Sequence, residues 1–303
     1  MNRFFQEIRL WVTAIRFYAH SGSLLPVALG SVYAWYVTEQ FYWGRFLLAL
    51  LAAALYHAGC NLINDYYDDI TGRDRPGTYG GSGVLQRGEM SRRKMIAGIV
   101  VLFLLGSLVG LWLAWVSGPI ILWLGLLGLL ASIYYSVSKY SAKATALGEP
   151  VVFLVMGVAM TIGGYVVQTG TVTWPVVWIS LPMSFLVTAI LTANNIRDLA
   201  DDRDSGIKTI AILFGTDRSR RVFDAIVFAS YPIALLLVWA RLAPWAILIV
   251  FLTLPMAFKL HRLVWRYRGE KHEELKDAPA ETAKLHMAYN VLMSAGIWVG
   301  HWV

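Results

Sequence analysis

The chain reads as an all-α membrane protein, with about nine transmembrane helices in one bundle and residues 1–303 forming a single domain. Three observations predict this class. First, 57% of the residues are apolar and 15% charged, whereas a soluble domain carries about 25% charged residues. Second, the apolar runs reach or approach the roughly 20 residues that cross a bilayer as a helix. They are continuous rather than alternating, which selects helices over a barrel. Third, basic residues crowd into every second connection, as the positive-inside rule requires.

The elements follow in order. Met1–Ser21 is polar and aromatic with no cleavage site, so it does not read as a signal peptide. Spans are expected at 21–38 and 45–63, then at 95–116 and 119–135, these last joined by the tight Ser117, Gly118, Pro119 hairpin. The remaining spans are expected at 150–168, 174–193, 222–240, 243–260 and 284–301. The polar stretch 261–282 is too short for a soluble domain and reads as a helix or loop of mixed charge.

Net charge is +7, and its placement sets topology. Arg3, Arg9 and Arg16, the 73–94 segment, Lys139 and Lys143, the 197–221 segment and the 259–284 segment carry the basic residues. The connections near 40, 117, 171 and 241 carry almost none. This places the N-terminus and the basic loops in the cytoplasm and the C-terminus outside, in the cell (inner) membrane. It also accounts for the positive balance without nucleic acid. A single cysteine, Cys60, excludes an internal disulfide and a Cys-based metal site.

Two acidic clusters end the second and sixth spans. Asn61, Asp65, Asp68 and Asp69 recur 133 positions later as Asn194, Asp198, Asp201 and Asp202. On a helix each set forms one stripe, with Asn64 beside the first. The matching register suggests two similarly oriented halves with one helix left over, a repeat type that places sites at the interface between halves. Carboxylates at a membrane boundary are costly and mark function. Facing sets of hard oxygen ligands suit Mg²⁺, which characteristically shares its shell between one or two carboxylates, phosphates and water. Arg197, Lys208, Lys143 and Arg87 flank the clusters as cations for a leaving diphosphate. The glycine-punctuated segments 65–94 and 197–218 are candidates for a cap over a cytoplasmic-side cavity. A cation-coupled transporter is the alternative of a different class.

These residues resemble the UbiA superfamily of intramembrane prenyltransferases. Asn64, Asp68 and Asp74, then Gly80, Gly81, Ser82, Gly83, Gly88 and Ser91, are similar to its MenA branch. So are Leu147, Gly148 and Glu149, the Gly164–Gly170 run, and Asn194 through Gly215. Gly72 stands where many members place the last aspartate, Gly83 where many have arginine, and Phe17 follows Arg16 where relatives have proline. The resemblance implies two Mg²⁺ ions held by Asn64, Asp68, Asp74, Asn195, Asp198 and Asp202. Asp68, Asp198 and Asp202 would be catalytic, and Asp65 would orient substrate or assist proton removal. The implied substrates are a polyprenyl diphosphate and 1,4-dihydroxy-2-naphthoate, which loses CO₂ to give demethylmenaquinone. Other acceptors, 4-hydroxybenzoate or homogentisate, stay open, and the oligomeric state is not read. An allylic cation needs a dry site. Gly157, Gly163 and Gly164 read first as close helix packing and second as room for the prenyl tail. Tyr134, Tyr135 and Tyr165 read as cation-facing or interfacial rings. His20 and His57 read as packed polar residues, or as groups touching the acceptor.

Overall fold

The structure, a computed structural model, describes residues 3–73, 80–266 and 275–302. It contains twelve α-helical elements among the described residues: α1 (Arg3–Ala14), α2 (Ser21–Thr38), α3 (Trp43–Ile70), α4 (Arg92–Ser117), α5 (Ile120–Ser136), α6 (Gly148–Thr169), α7 (Trp174–Arg197), α8 (Leu199–Asp204), α9 (Ile210–Phe214), α10 (Thr216–Trp239), α11 (Trp245–Arg266) and α12 (Ala278–Gly300). Every span expected from the sequence falls on one of these helices. Six of them, α3, α4, α6, α7, α10 and α11, are long and apolar enough to cross a membrane. The α5 helix is apolar but shorter. The α2 and α12 helices fall below that apolarity because they bury polar groups inside the bundle: Ser23 and Ser31 in α2, and Thr282, His286 and Asn290 in α12. Each of these side chains has at least one contact inside the protein, with His286 Nδ1 and Asn290 Oδ1 left unpartnered, so these helices need less apolar surface than lipid-facing ones.

Lipid-facing surface concentrates on α4 and α5, where Val100, Leu104, Leu108, Trp115, Trp123 and Leu130 are exposed. The largest core joins α2, α7, α10, α11 and α12 through Leu29, Ile179, Met183, Phe223, Ile247 and Tyr289. Two irregularities shape α6 and α11. Phe153–Ala159 is a π-helical stretch, and Trp245–Thr253 is wound as a 3₁₀-helix. The π stretch carries Gly157 against Ser184 of α7, at a separation no Cβ would permit.

The expected duplication has a physical counterpart. Under the 133-residue shift, α2 matches α6 and α3 matches α7. The α2 and α6 helices cross at Gly30 and Gly164, where a Cβ on either would strike the other helix's backbone. At this crossing the Ser31 hydroxyl donates to the Gly164 carbonyl at 2.9 Å, and these two residues are 133 positions apart.

Candidate active site

The acidic stripe forms because α3 runs on past the apolar band to Ile70. Asn61, Asn64 and Asp68 therefore share one face of its last turns. The α7 helix ends at Arg197, and α8 begins at Leu199 with Asp198 between them. This break turns Asp201 and Asp202 back toward the same space. Asn61, Asn64, Asp68, Asn194, Asn195, Asp198, Asp201 and Asp202 line one cavity of about 650 Å³. Its deep part is apolar and small-sided, lined by Ala49, Ala53, Gly110, Leu113, Ile121, Gly125, Gly128, Gly163 and Val167. Charge is thus confined to one end of a tunnel that otherwise excludes it.

Asp68 is fully buried. Lys143, in the connection after α5, donates to its Oδ2 and also to Asn64 Oδ1 at 3.0 Å. Asp68 Oδ1 has no hydrogen-bond partner, and Arg73 Nη1, likewise buried and unpartnered, lies 3.9 Å from it. Arg197 grips Asp198 with both arms of its fork, at 2.6 and 2.7 Å. Asn195 donates to the buried Glu149 Oε1 at 2.8 Å, which fixes the amide so that its oxygen remains available as an acceptor. Burial, then the neighbouring Asp198, pushes the Asp202 carboxyl up to about 7; Asp201 and Asp68 add to the rise and Lys143 opposes it.

Several expected site residues lie elsewhere. Arg87 points away from the cavity, paired with Glu89 at 2.8 Å and donating to the Ser82 carbonyl. Its guanidinium fills the space beside Gly83, where a Cβ would otherwise project. Lys208 is exposed, and only its backbone N–H takes part, donating to the Ala144 carbonyl at 3.2 Å. Asp65 is buried outside the cavity lining with both oxygens engaged, one by Arg16 and the other by the Ser82 hydroxyl and backbone N–H. It pins the N-terminal segment and the 80–91 loop to α3 rather than facing substrate. Tyr165 packs against Tyr33 and Tyr134 is exposed, leaving Tyr135 as the ring of the three that lines the cavity. Asp74 lies outside the described residues. Arg16, Arg73, Lys276 and His57 line the cavity although the sequence reading gave the three cations no site role. Arg16 gets there through a left-handed turn at φ 51° between α1 and the following 3₁₀ turn.

Two predictions follow from this placement. Arg87→Ala and Lys208→Ala should each change catalytic efficiency by less than about fivefold, as expected for solvent-exposed charges; steady-state kinetics on the two variants checks this. For Asp202, the folded value of about 7 lies above the ordinary 3.8. Its contribution to stability is therefore present below the ordinary value and is lost as pH rises through about 7. Melting in chelator between about pH 5 and about pH 8 should show a decline that Asp202→Asn flattens.

The donor set suits a magnesium diphosphate. Among the described residues no three acidic, His or Cys side chains converge into a cage of their own. A cation there would need amide and phosphate oxygens as well, which is the habit of Mg²⁺. The orphaned Asp68 oxygen supplies a hard ligand, and the orphaned guanidinium N–H groups of Arg73 and Arg16 supply donors for phosphate oxygens.

The sequence pattern of the UbiA prenyltransferase family matches residues 23–286. UbiA prenyltransferase domain-containing protein 1 of Rattus norvegicus is 32% identical over 297 residues, covering 96% of this chain and 84% of that protein. Its Drosophila melanogaster homolog is 28% identical over 301 residues, covering 98% and 81%. Among solved structures, the apo UbiA homolog from Aeropyrum pernix K1 superposes with a TM-score of 0.69 at 21% identity, over 92% of this chain and 97% of that one. The UbiA homolog from Archaeoglobus fulgidus bound to DMAPP and Mg²⁺ gives 0.66 at 18% identity, over 94% and 99%.

Proposed function

The chain belongs to the UbiA prenyltransferase family, and from that premise we propose that it transfers a polyprenyl group from its diphosphate to 1,4-dihydroxy-2-naphthoate, releasing CO₂ and giving demethylmenaquinone. The observation that carries the reading is the shared cavity, with the two acidic helix ends at its mouth and an apolar tunnel behind them. A diphosphate fits the first and an isoprenoid tail the second. Binding of DMAPP and Mg²⁺ by the Archaeoglobus homolog supports the donor half. The naphthoate half rests on the likeness of Gly80–Ser91, Leu147–Glu149 and Asn194–Gly215 to the MenA branch, since the relatives found carry the name UbiA prenyltransferase domain-containing protein 1.

Asn64, Asp68, Asn195, Asp198 and Asp202 would hold Mg²⁺, with Asp74 completing the set. The ion supplies positive charge against the diphosphate oxygens as the C–O bond breaks. The chain's own groups do the rest. Lys143, Arg73 and Arg16 take up the growing negative charge on the leaving group. Arg197, which lines the same cavity while paired with Asp198, adds positive charge at its mouth. The glycine- and alanine-lined tunnel orients the tail and keeps water from the allylic carbon. The acidic ends face the cytoplasm of the cell (inner) membrane, because the basic connections lie on their side.

The test supplies purified protein with geranyl diphosphate, Mg²⁺ and, in parallel, 1,4-dihydroxy-2-naphthoate, 4-hydroxybenzoate and homogentisate. Mass spectrometry should find a prenylated naphthoquinol lacking the carboxylate. Product from one of the other acids alone would replace the acceptor.

A further inference from the structure

One cavity-lining side chain has no part in holding the diphosphate. His57 lies on the same face of α3 as Asn61, Asn64 and Asp68, in the series i, i+4, i+7, i+11. At 1.5 Å per residue it sits roughly 10 Å along α3 from Asn64, on the side away from the acidic end. Its hydrogen bonding fixes which nitrogen carries the proton. The Ser23 hydroxyl donates to the His20 carbonyl at 3.0 Å. That hydroxyl proton is thereby committed, so its contact with His57 Nδ1, also 3.0 Å, requires the ring to be the donor. In the neutral ring Nε2 then carries the lone pair. The ring plane is set too: His20 stacks on it with centroids 4.7 Å apart and planes at 19°. His20 is itself held through Nδ1 to the Arg16 carbonyl at 3.4 Å. Tyr135, Tyr56 and Cys60 line the cavity beside it, giving flat and soft surfaces against which a planar ring can lie.

We propose that His57 Nε2 is the base that receives the hydroxyl proton of the phenolic acceptor, and that Ser23 and His20 position it. This deepens the prenyl-transfer reading and rests on it. The step balances without another reagent. As the ring carbon bearing the carboxylate bonds to the allylic carbon, the C–O bond of the prenyl diphosphate breaks. Pyrophosphate takes that electron pair, and the adjacent hydroxyl gives its proton to Nε2 and becomes a ketone. Loss of the carboxylate as CO₂ then returns electrons to the ring, and the resulting oxyanion retrieves the proton from Nε2. No net proton is consumed.

The test measures kcat and the KM of each substrate for His57→Gln and Ser23→Ala, with melting temperatures to confirm folding. His57→Gln keeps a hydrogen-bonding side chain but removes the base. It should lower kcat about 10²-fold with the KM for prenyl diphosphate unchanged. Ser23→Ala frees the tautomer and should give a smaller fall in kcat with the same split. Across ring-substituted acceptors of increasing hydroxyl acidity, the His57→Gln rate should recover more steeply than the wild-type rate. A wild-type kcat in His57→Gln, or a loss confined to the KM for prenyl diphosphate, would overturn the assignment. If His57→Gln fails to fold, a wild-type kcat in Ser23→Ala overturns it, and a fall in kcat alone sustains it. A wild type that prenylates none of the phenolic acids overturns the functional reading, and this assignment with it.

Discussion

Asp68→Ala is expected to lower prenyl transfer on the order of 10³-fold, the scale of losing preorganised stabilisation of a developing anion, here through the cation that Asp68 would hold. Two consequences combine. The substitution removes the buried carboxylate oxygen that is unpartnered at the cavity, and so a hard ligand for the cation. It also strips Lys143 of its ion-pair partner, leaving the ammonium with the Asn64 oxygen and the field of Asp202. Asp69→Ala is the internal comparison. Asp69 is the next residue, yet it turns outward to the exposed Arg92 at 2.7 Å and should retain most activity. Pyrophosphate release and product mass on the two variants decide it. Equal turnover by both would remove Asp68 from the metal site.

The second large effect is on folding. Gly164→Val should leave little folded protein, read as loss of the monodisperse peak in detergent and of a cooperative melt. A Cβ at Gly164 would meet the Val27 carbonyl oxygen, and it would lie 2.8 and 2.9 Å from the Val27 carbonyl carbon and Cα. These are backbone atoms of a packed helix, so they cannot rotate away, and forced separation costs more than the usual 1–3 kcal/mol of overpacking. It also breaks the Ser31 bond to the Gly164 carbonyl. The neighbouring Gly163→Ala makes the contrast. A Cβ there meets only Leu124, at 3.9 Å, so the fold should hold. A stable Gly164→Val protein would show that the crossing is not what sets the distance between the two helices.

The helices and the acidic clusters were legible in the sequence because both depend on local signals, apolar run length and helical spacing. Which cations reach the site was not. Arg87 and Lys208 follow the clusters closely in the chain, but their side chains are turned outward by the 80–91 loop and the segment before α9. Arg16 is 49 positions from Asp65 and reaches it only through a left-handed turn that no residue pattern announced. The glycines divide for a similar reason. Gly157 is a packing contact alone, Gly164 both packs on Val27 and lines the tunnel, and Gly163 lines the tunnel with room where a Cβ would project. Which of them meets a neighbouring helix depends on the rotation of α6, which carries a π stretch. The family resemblance gave Asp65 a part in orienting substrate or removing a proton, and the 133-residue shift pairs it with Asp198. The two equivalents have diverged, one into a latch for the loop and the other into the cavity wall.

The meeting of Ser31 with Gly164, each the counterpart of the other under the 133-residue shift, joins the two halves through matching surfaces. A surface that touches its own equivalent is the hallmark of an isologous contact between identical subunits. Neither half alone carries both acidic tips, so the cavity they share is complete only while this seam holds α2 against α6.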